Sequence, residues 1–175
     1  PHECSSAASD VYKRQEFVVQ AEDGVRTPEV LGAIADWQDE MAGHPDVGWS
    51  HSAADVVRRL NEVLTGGGEA ARVVPEDEFA LEQLFFLYSS GPDTDLSSLI
   101  ADGDTAARVT VGIPMGSAQG FERTIDDLLA MAELPPGVTV SASGYLPLYV
   151  RMMDYIVRSQ LTSFGLAFLL SLIHI

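Results

Sequence analysis

Basic residues are scarce in this chain, and two residue types are almost missing. One cysteine, Cys4, and one lysine, Lys13, occur in 175 residues. A single cysteine rules out an internal disulfide and a cysteine metal cage. Ten Lys and Arg stand against 26 Asp and Glu, a formal charge of -16. An acidic surface of that size repels phosphate backbones and argues against a nucleic-acid partner. Anionic lipid head groups repel it too, so a folded body should stand off the membrane plane unless a helix holds it there. What is present is ample apolar content, 46%, enough for one domain of ordinary size or two small ones.

Both ends differ from the middle. Apart from Lys13, every basic residue is arginine, a bias expected of a GC-rich genome. Cys4-Ser-Ser-Ala-Ala-Ser-Asp-Val-Tyr-Lys-Arg-Gln15 resembles translated sequencing-adapter read-through, and Ser171-Leu-Ile-His-Ile175 resembles a similar scar. Residues 1–15 and 171–175 are therefore set apart from the fold. The natural chain is expected to be cut at both ends.

Between them the pattern is regular. Glu16–Glu22 reads as a strand, and Asp23-Gly24 turns the chain. Thr27 is a cap for a helix over Pro28–Ala42, with Val30, Leu31, Ile34, Trp37, Gln38 and Met41 at helical spacing. Val47–Ser50 is a short second strand. Ser52 can cap a helix over Ala53–Leu64 whose apolar side is Val56, Val57, Leu60, Val63 and Leu64. Gly66-Gly67-Gly68 breaks it. A further helix spans Glu76–Tyr88 and holds Leu84-Phe85-Phe86-Leu87. The first pattern then recurs. A strand over Ala107–Met115 precedes a helix from Ser117 to about Leu134, with Phe121, Ile125, Leu128, Leu129 and Ala132 inward. Pro135-Pro136-Gly137 turns into a strand over Val138–Ser143. The order β-α-β, two helices, β-α-β predicts an α+β fold of ferredoxin-like type, with paired β-α-β units and extra helices on a mostly antiparallel sheet.

The last stretch is of another kind. Leu146–Gln160 is amphipathic, with Arg151, Asp154 and Arg158 among apolar residues. From Leu161 on there is no charged residue. A buried core helix fits the length of that run equally well, but its position after the soluble domain predicts one long helix over residues 145–170 whose truncated end enters a membrane.

This order of parts resembles the extracytoplasmic loop of RND-superfamily transporters, the MMPL or hopanoid-transporter-like branch in particular. Thr27-Pro28-Glu29-Val30-Leu31 is similar to the segment that opens the family's first loop helix. His44-Pro45-Asp46-Val47, Ser50, Ala54-Asp55 and Leu60-Asn61 resemble its next run, and Val74-Pro75 with Leu84 the helix after it. Ser143-Gly144-Tyr145-Leu146-Pro147 stands where the family has Thr-Gly, and Ser143 can cap the coming helix. Gln160-Leu161-Thr162-Ser163-Phe164 resembles its step into the bilayer. The resemblance covers about residues 16–170.

It implies an inner-membrane, proton-driven exporter of lipophilic molecules, with residues 16–144 as the periplasmic porter domain. Its partners would be the bilayer, a lipophilic small molecule or lipid, the rest of the transporter chain and, in one arrangement, a second copy. It implies no enzyme activity and no cofactor, and the family's proton-carrying acids lie in a membrane helix outside this sequence. Leu146, Pro147, Arg158, Ser163 and Gly165 would lie on a helix that couples membrane movement to the outer domain, with Gly165 its weak point. Phe85, Phe86 and Tyr88 are the candidate contacts for a lipophilic substrate. A protein-translocation partner of the same superfamily (the SecD/SecF type) and a stand-alone ferredoxin-like binding module are the alternatives.

Other constellations have plainer readings. His44 and His51 with Asp46 and Asp55 match no metal spacing and read as solvated turns. The glycine triplet does not continue into the Lys-Ser/Thr of a phosphate loop. Gly48-Trp49-Ser50-His51-Ser52 is a strand end rather than a nucleophile elbow.

Overall fold

The computed structural model describes residues 12–91, 96–101, 103–114 and 116–175. Four strands, β1 (Tyr12–Ala21), β2 (Trp49–His51), β3 (Ala106–Pro114) and β4 (Val138–Ser143), form one sheet in the order β2-β3-β1-β4. Every neighbouring pair is antiparallel. β1 and β2 are both antiparallel to β3 and so run parallel to each other with β3 between them; β3 and β4 straddle β1 in the same way. Each β-α-β unit is thus split by a strand of the other. This is the expected α+β, ferredoxin-like arrangement.

Five α-helices accompany it: α1 (Pro28–Met41), α2 (Ala53–Thr65), α3 (Glu78–Ser89), α4 (Ala118–Ala130) and α5 (Tyr145–His174). α1 and α4 belong to the two β-α-β units, and α2 and α3 fill the insertion between them. Local chemistry sets their starts. Thr27 accepts the Val30 N–H and Pro28 occupies the first turn. Ser52 and Asp55 form a reciprocal capping box, and Gly66, with φ 64°, ends α2 in the left-handed region.

One face of the sheet is buried. Phe17, Val19 and Ala21 of β1 alternate with exposed or half-buried residues, as do Ala107, Val109 and Val111 of β3; Gly112 and Ile113 after them are both buried. These apolar side chains meet Leu31, Ile34, Trp37 and Met41 of α1 and Phe121, Ile125 and Leu128 of α4 in one core. Trp37 is the joint. Its ring stands edge-on to Phe17 with centroids 5.4 Å apart, and its Nε1–H donates to the Leu128 carbonyl at 2.8 Å. Gln38 beside it, also buried, donates to Ser50 Oγ and Asp55 Oδ2 and accepts from Ser52 Oγ, tying α1 to β2 and α2.

Several boundaries differ from the sequence reading. β1 starts at Tyr12, so residues 12–15, set apart on composition, pair with β3 from Pro114 to Val111. Backbone pairing needs no particular side chain, which is why composition is silent there. β2 lies one to two residues later than Val47–Ser50, because Gly48 is already bonded to the Gly112 carbonyl. α3 begins at Glu78 since Asp77 accepts the Ala80 N–H. α4 stops at Ala130, ahead of Leu134, whose position before Pro135 disfavours helix. Of the expected apolar side of α2, Val57 is buried and Val56 and Leu60 pack partly buried against the core, but Val63 and Leu64 are 62% and 58% exposed; Ala53 and Ala54, not expected there, are buried.

Truncating Trp37 to alanine is expected to cost about 3–5 kcal/mol, read as a lowered urea midpoint, because cavity, ring contact and hydrogen bond are lost together. Val63→Ser should change the midpoint by less than about 0.5 kcal/mol.

Candidate functional site

The feature that sets this molecule apart is α5. It follows β4 with only Gly144 between them. Gly144 adopts φ 88°, ψ -161°, a region open to glycine at low cost, and makes no side-chain cap. The cap expected from Ser143 is therefore absent, since Ser143 remains in β4. A Cβ on Gly144 would lie 3.5 Å from that of Glu16, so the chain leaves the sheet close against β1.

α5 runs for 30 residues, about 45 Å. Leu146, Pro147, Arg158, Ser163 and Gly165 all fall within it, and the helix continues through Ser171–His174, residues set apart on composition. The helix is unbroken through Gly165, where nothing lies within 4 Å of an added Cβ. Arg158 Nε pairs with Asp154 one turn earlier at 2.8 Å, and Thr162 Oγ1 donates to the Arg158 carbonyl. Beyond Arg158 there is no Asp, Glu, Lys or Arg, and every residue is exposed. Arg151–His174 is the one helix segment among the described residues long and apolar enough to cross a membrane, by length and composition. Its 24 residues span about 36 Å, against about 30 Å of hydrocarbon.

Where α5 leaves the domain, it and the start of α4 enclose a cleft of about 500 Å³. Arg151, Arg158, Glu122 and Asp154 line it together with Met153 and Val157. Charged groups of both signs and two apolar side chains thus share this cleft beside the base of the long helix.

The predicted substrate contacts divide. Phe85 is 1% exposed and belongs to the core, which removes it as a surface contact. It lies beneath Arg26, whose guanidinium sits 4.6 Å from the ring centroid and also bonds Glu82 and Asp104. Phe86 is 76% exposed, and Tyr88 is half-buried. Phe79, not singled out in the sequence, is 70% exposed and seven residues from Phe86, so the two share one stripe of α3. Helical spacing carried that signal, because Leu81, Leu84 and Phe85 occupy the opposite side.

The imidazole groups do not converge. His44 faces Asp127 at 3.8 Å, and its Nδ1 accepts the Asp46 N–H; His51 faces Asp55 at 3.7 Å. Asp46 accepts instead from Thr124. No group of three metal-ligating side chains occurs among the described residues. Arg58 and Asp39 form a two-pronged pair at 2.9 Å, and that hydrogen bond raises the arginine's pKa above its ordinary value. A raised arginine pKa supports the fold at every pH below the ordinary arginine value and fades only as pH climbs through the folded one, so the pair is constant at working pH.

No protein-family model, curated protein or solved structure matches the chain.

Phe86→Ser should leave the urea midpoint within about 0.5 kcal/mol of the parent while lowering the fluorescence of a bound apolar dye. Phe85→Ala should instead lower the midpoint by about 3–5 kcal/mol.

Proposed function

We propose that this chain is the extracytoplasmic domain of an RND/MMPL-type transporter together with the membrane helix that follows it, and that it handles lipophilic molecules on the outer side of the inner membrane. The observation that carries the reading is α5. A single helix leaves a folded acidic sheet domain and carries no Asp, Glu, Lys or Arg beyond Arg158, with none of its spanning window buried. A core helix of a soluble domain would bury one face; this window buries none.

The physics of such a helix suits a coupling part. Bending it within lipid breaks backbone hydrogen bonds that hydrocarbon cannot replace. Axial or tilting movement of the membrane part therefore reaches β4 through Gly144, and β4 is bonded along its length to the central strand β1. Two apolar features are available to a lipophilic molecule: the Phe79 and Phe86 stripe, and the cleft at the base of α5. The acidic body repels anionic head groups, so the domain stands clear of the bilayer on its helix. Export driven by protons is the activity that the family resemblance implies.

Reconstituted with phosphatidylcholine vesicles, the chain should float with the lipid and resist alkaline extraction. A version ending at Arg158 should stay in the dense fraction. A full-length chain that remains soluble and monomeric without lipid would sink the reading. In the complete transporter, three glycines inserted after Arg158 should abolish export with the domain's urea midpoint unchanged; undiminished export would refute the coupling role of α5.

A further inference from the structure

The outer edge of β4 is unprotected, and its sequence is complementary to itself. β4 closes one side of the sheet. The Ala21 N–H points away from β4, to the Thr105 carbonyl. Backbone groups alternate along a strand, so Gln20, Val18 and Glu16 face β4, where they oppose Thr139, Ser141 and Ser143. Val138, Val140 and Ala142 therefore aim their N–H and C=O groups outward. The Val138 N–H is taken by the Pro135 carbonyl at 3.1 Å. Those of Val140 and Ala142 meet no backbone partner among the described residues.

Natural sheets guard such edges with lysine, proline, bulges or very short strands. The opposite edge, β2, is three residues long. β4 has six, Val-Thr-Val-Ser-Ala-Ser, without a charge, proline or bulge, in a chain of net charge -16. We propose that β4 pairs antiparallel with β4 of a second copy of this chain, about a two-fold axis at Ser141.

The register follows from the free groups. With the axis at Ser141, Val140 faces Ala142 of the other copy, and each such pair exchanges both of its backbone bonds. Thr139 then faces Ser143, and Ser141 faces itself. Apolar side chains meet apolar ones on the face toward the helices, and hydroxyls meet hydroxyls on the open face. An axis at Val140 would recruit Val138, whose N–H is already engaged. The two four-stranded sheets join into one. Two copies held in one bilayer by α5 have orientation and depth in common, which raises their effective concentration. The edge is neutral, so the approach puts no like charges directly opposite within the new ladder, although the bodies around it are acidic.

The register names its own cross-link. At a non-hydrogen-bonded antiparallel pair the Cα atoms lie about 4.5 Å apart, within disulfide range. In a Cys4→Ser background, Ser141→Cys under mild oxidant should give mostly disulfide-linked dimer, in vesicles and in detergent micelles alike. Thr139→Cys, offset from its own copy, should cross-link at least tenfold more slowly. Adding Val140→Pro removes an N–H that is free in a single copy, so it should suppress the Ser141→Cys product while leaving the urea midpoint near that of the parent. Equal rates at positions 139 and 141, or a Ser141→Cys chain that stays monomeric, would overturn the pairing. Cross-linking retained in a chain that fails to float with vesicles would support the pairing and count against the transport reading alone.

Discussion

The Trp37 indole holds the sheet domain to one shape. Its edge contact with Phe17 fixes α1 on the central strand, and its hydrogen bond to Leu128 fixes α4 on α1. That bond ends on a helix backbone carbonyl, so it constrains the position of α4 rather than the rotamer of one side chain. Sheet and helices then move together. In the proposed coupling role α5 would act as a lever on that rigid body, with β4 as its short arm. The link between them is one residue, Gly144, in a conformation that other residues adopt only under strain. Removing slack there gives the helix a set direction from the sheet.

Local rules made much of this fold readable. The helical spacing of Val30, Leu31, Ile34, Trp37, Gln38 and Met41 located the buried stripe of α1, all six being buried, and missed only Ala35. Thr27, Ser52 and Gly66 carried cap chemistry that depends on a few neighbours only. β4 has the predicted bounds because a proline-proline-glycine turn precedes it and a glycine follows. Long-range matters were hidden. No spacing rule joins Arg26 to Glu82 and Asp104, or Gln38 to Asp55, since those partners are brought near by topology. Val63 and Leu64 show the other limit: an amphipathic pattern marks an apolar stripe but does not say that anything sits on it.

The candidate contacts show the same division within four residues. Phe85 and Phe86 are adjacent, and successive helical residues point about 100° apart. Leu81, Leu84 and Phe85 set the inward direction, which leaves Phe86 outside with Phe79. The reading of the aromatic run as one unit ignored that rotation. α5 was more legible, because a change from mixed charge to none needs no tertiary information. Its start was not: a helix that begins on a glycine with positive φ gives no capping signal to read.

Charge links the sheet edge to the long helix. A chain with 26 acidic residues against ten basic ones repels its own copies and anionic lipid over roughly a Debye length, about 8 Å at physiological salt. Contact is then possible only where the surface carries no charge and the gain is short-ranged. Such places among the described residues include the β4 edge, which offers backbone hydrogen bonds, and the part of α5 beyond Arg158, which offers apolar area. They are joined through Gly144, so the proposed insertion of the helix and the proposed pairing of the edge would constrain each other. A copy tilted by a membrane-embedded α5 would carry β4 with it, and a β4 held by a partner would resist that tilt. Pairing at this edge would thus load the lever at its short arm, the position where a small displacement costs most.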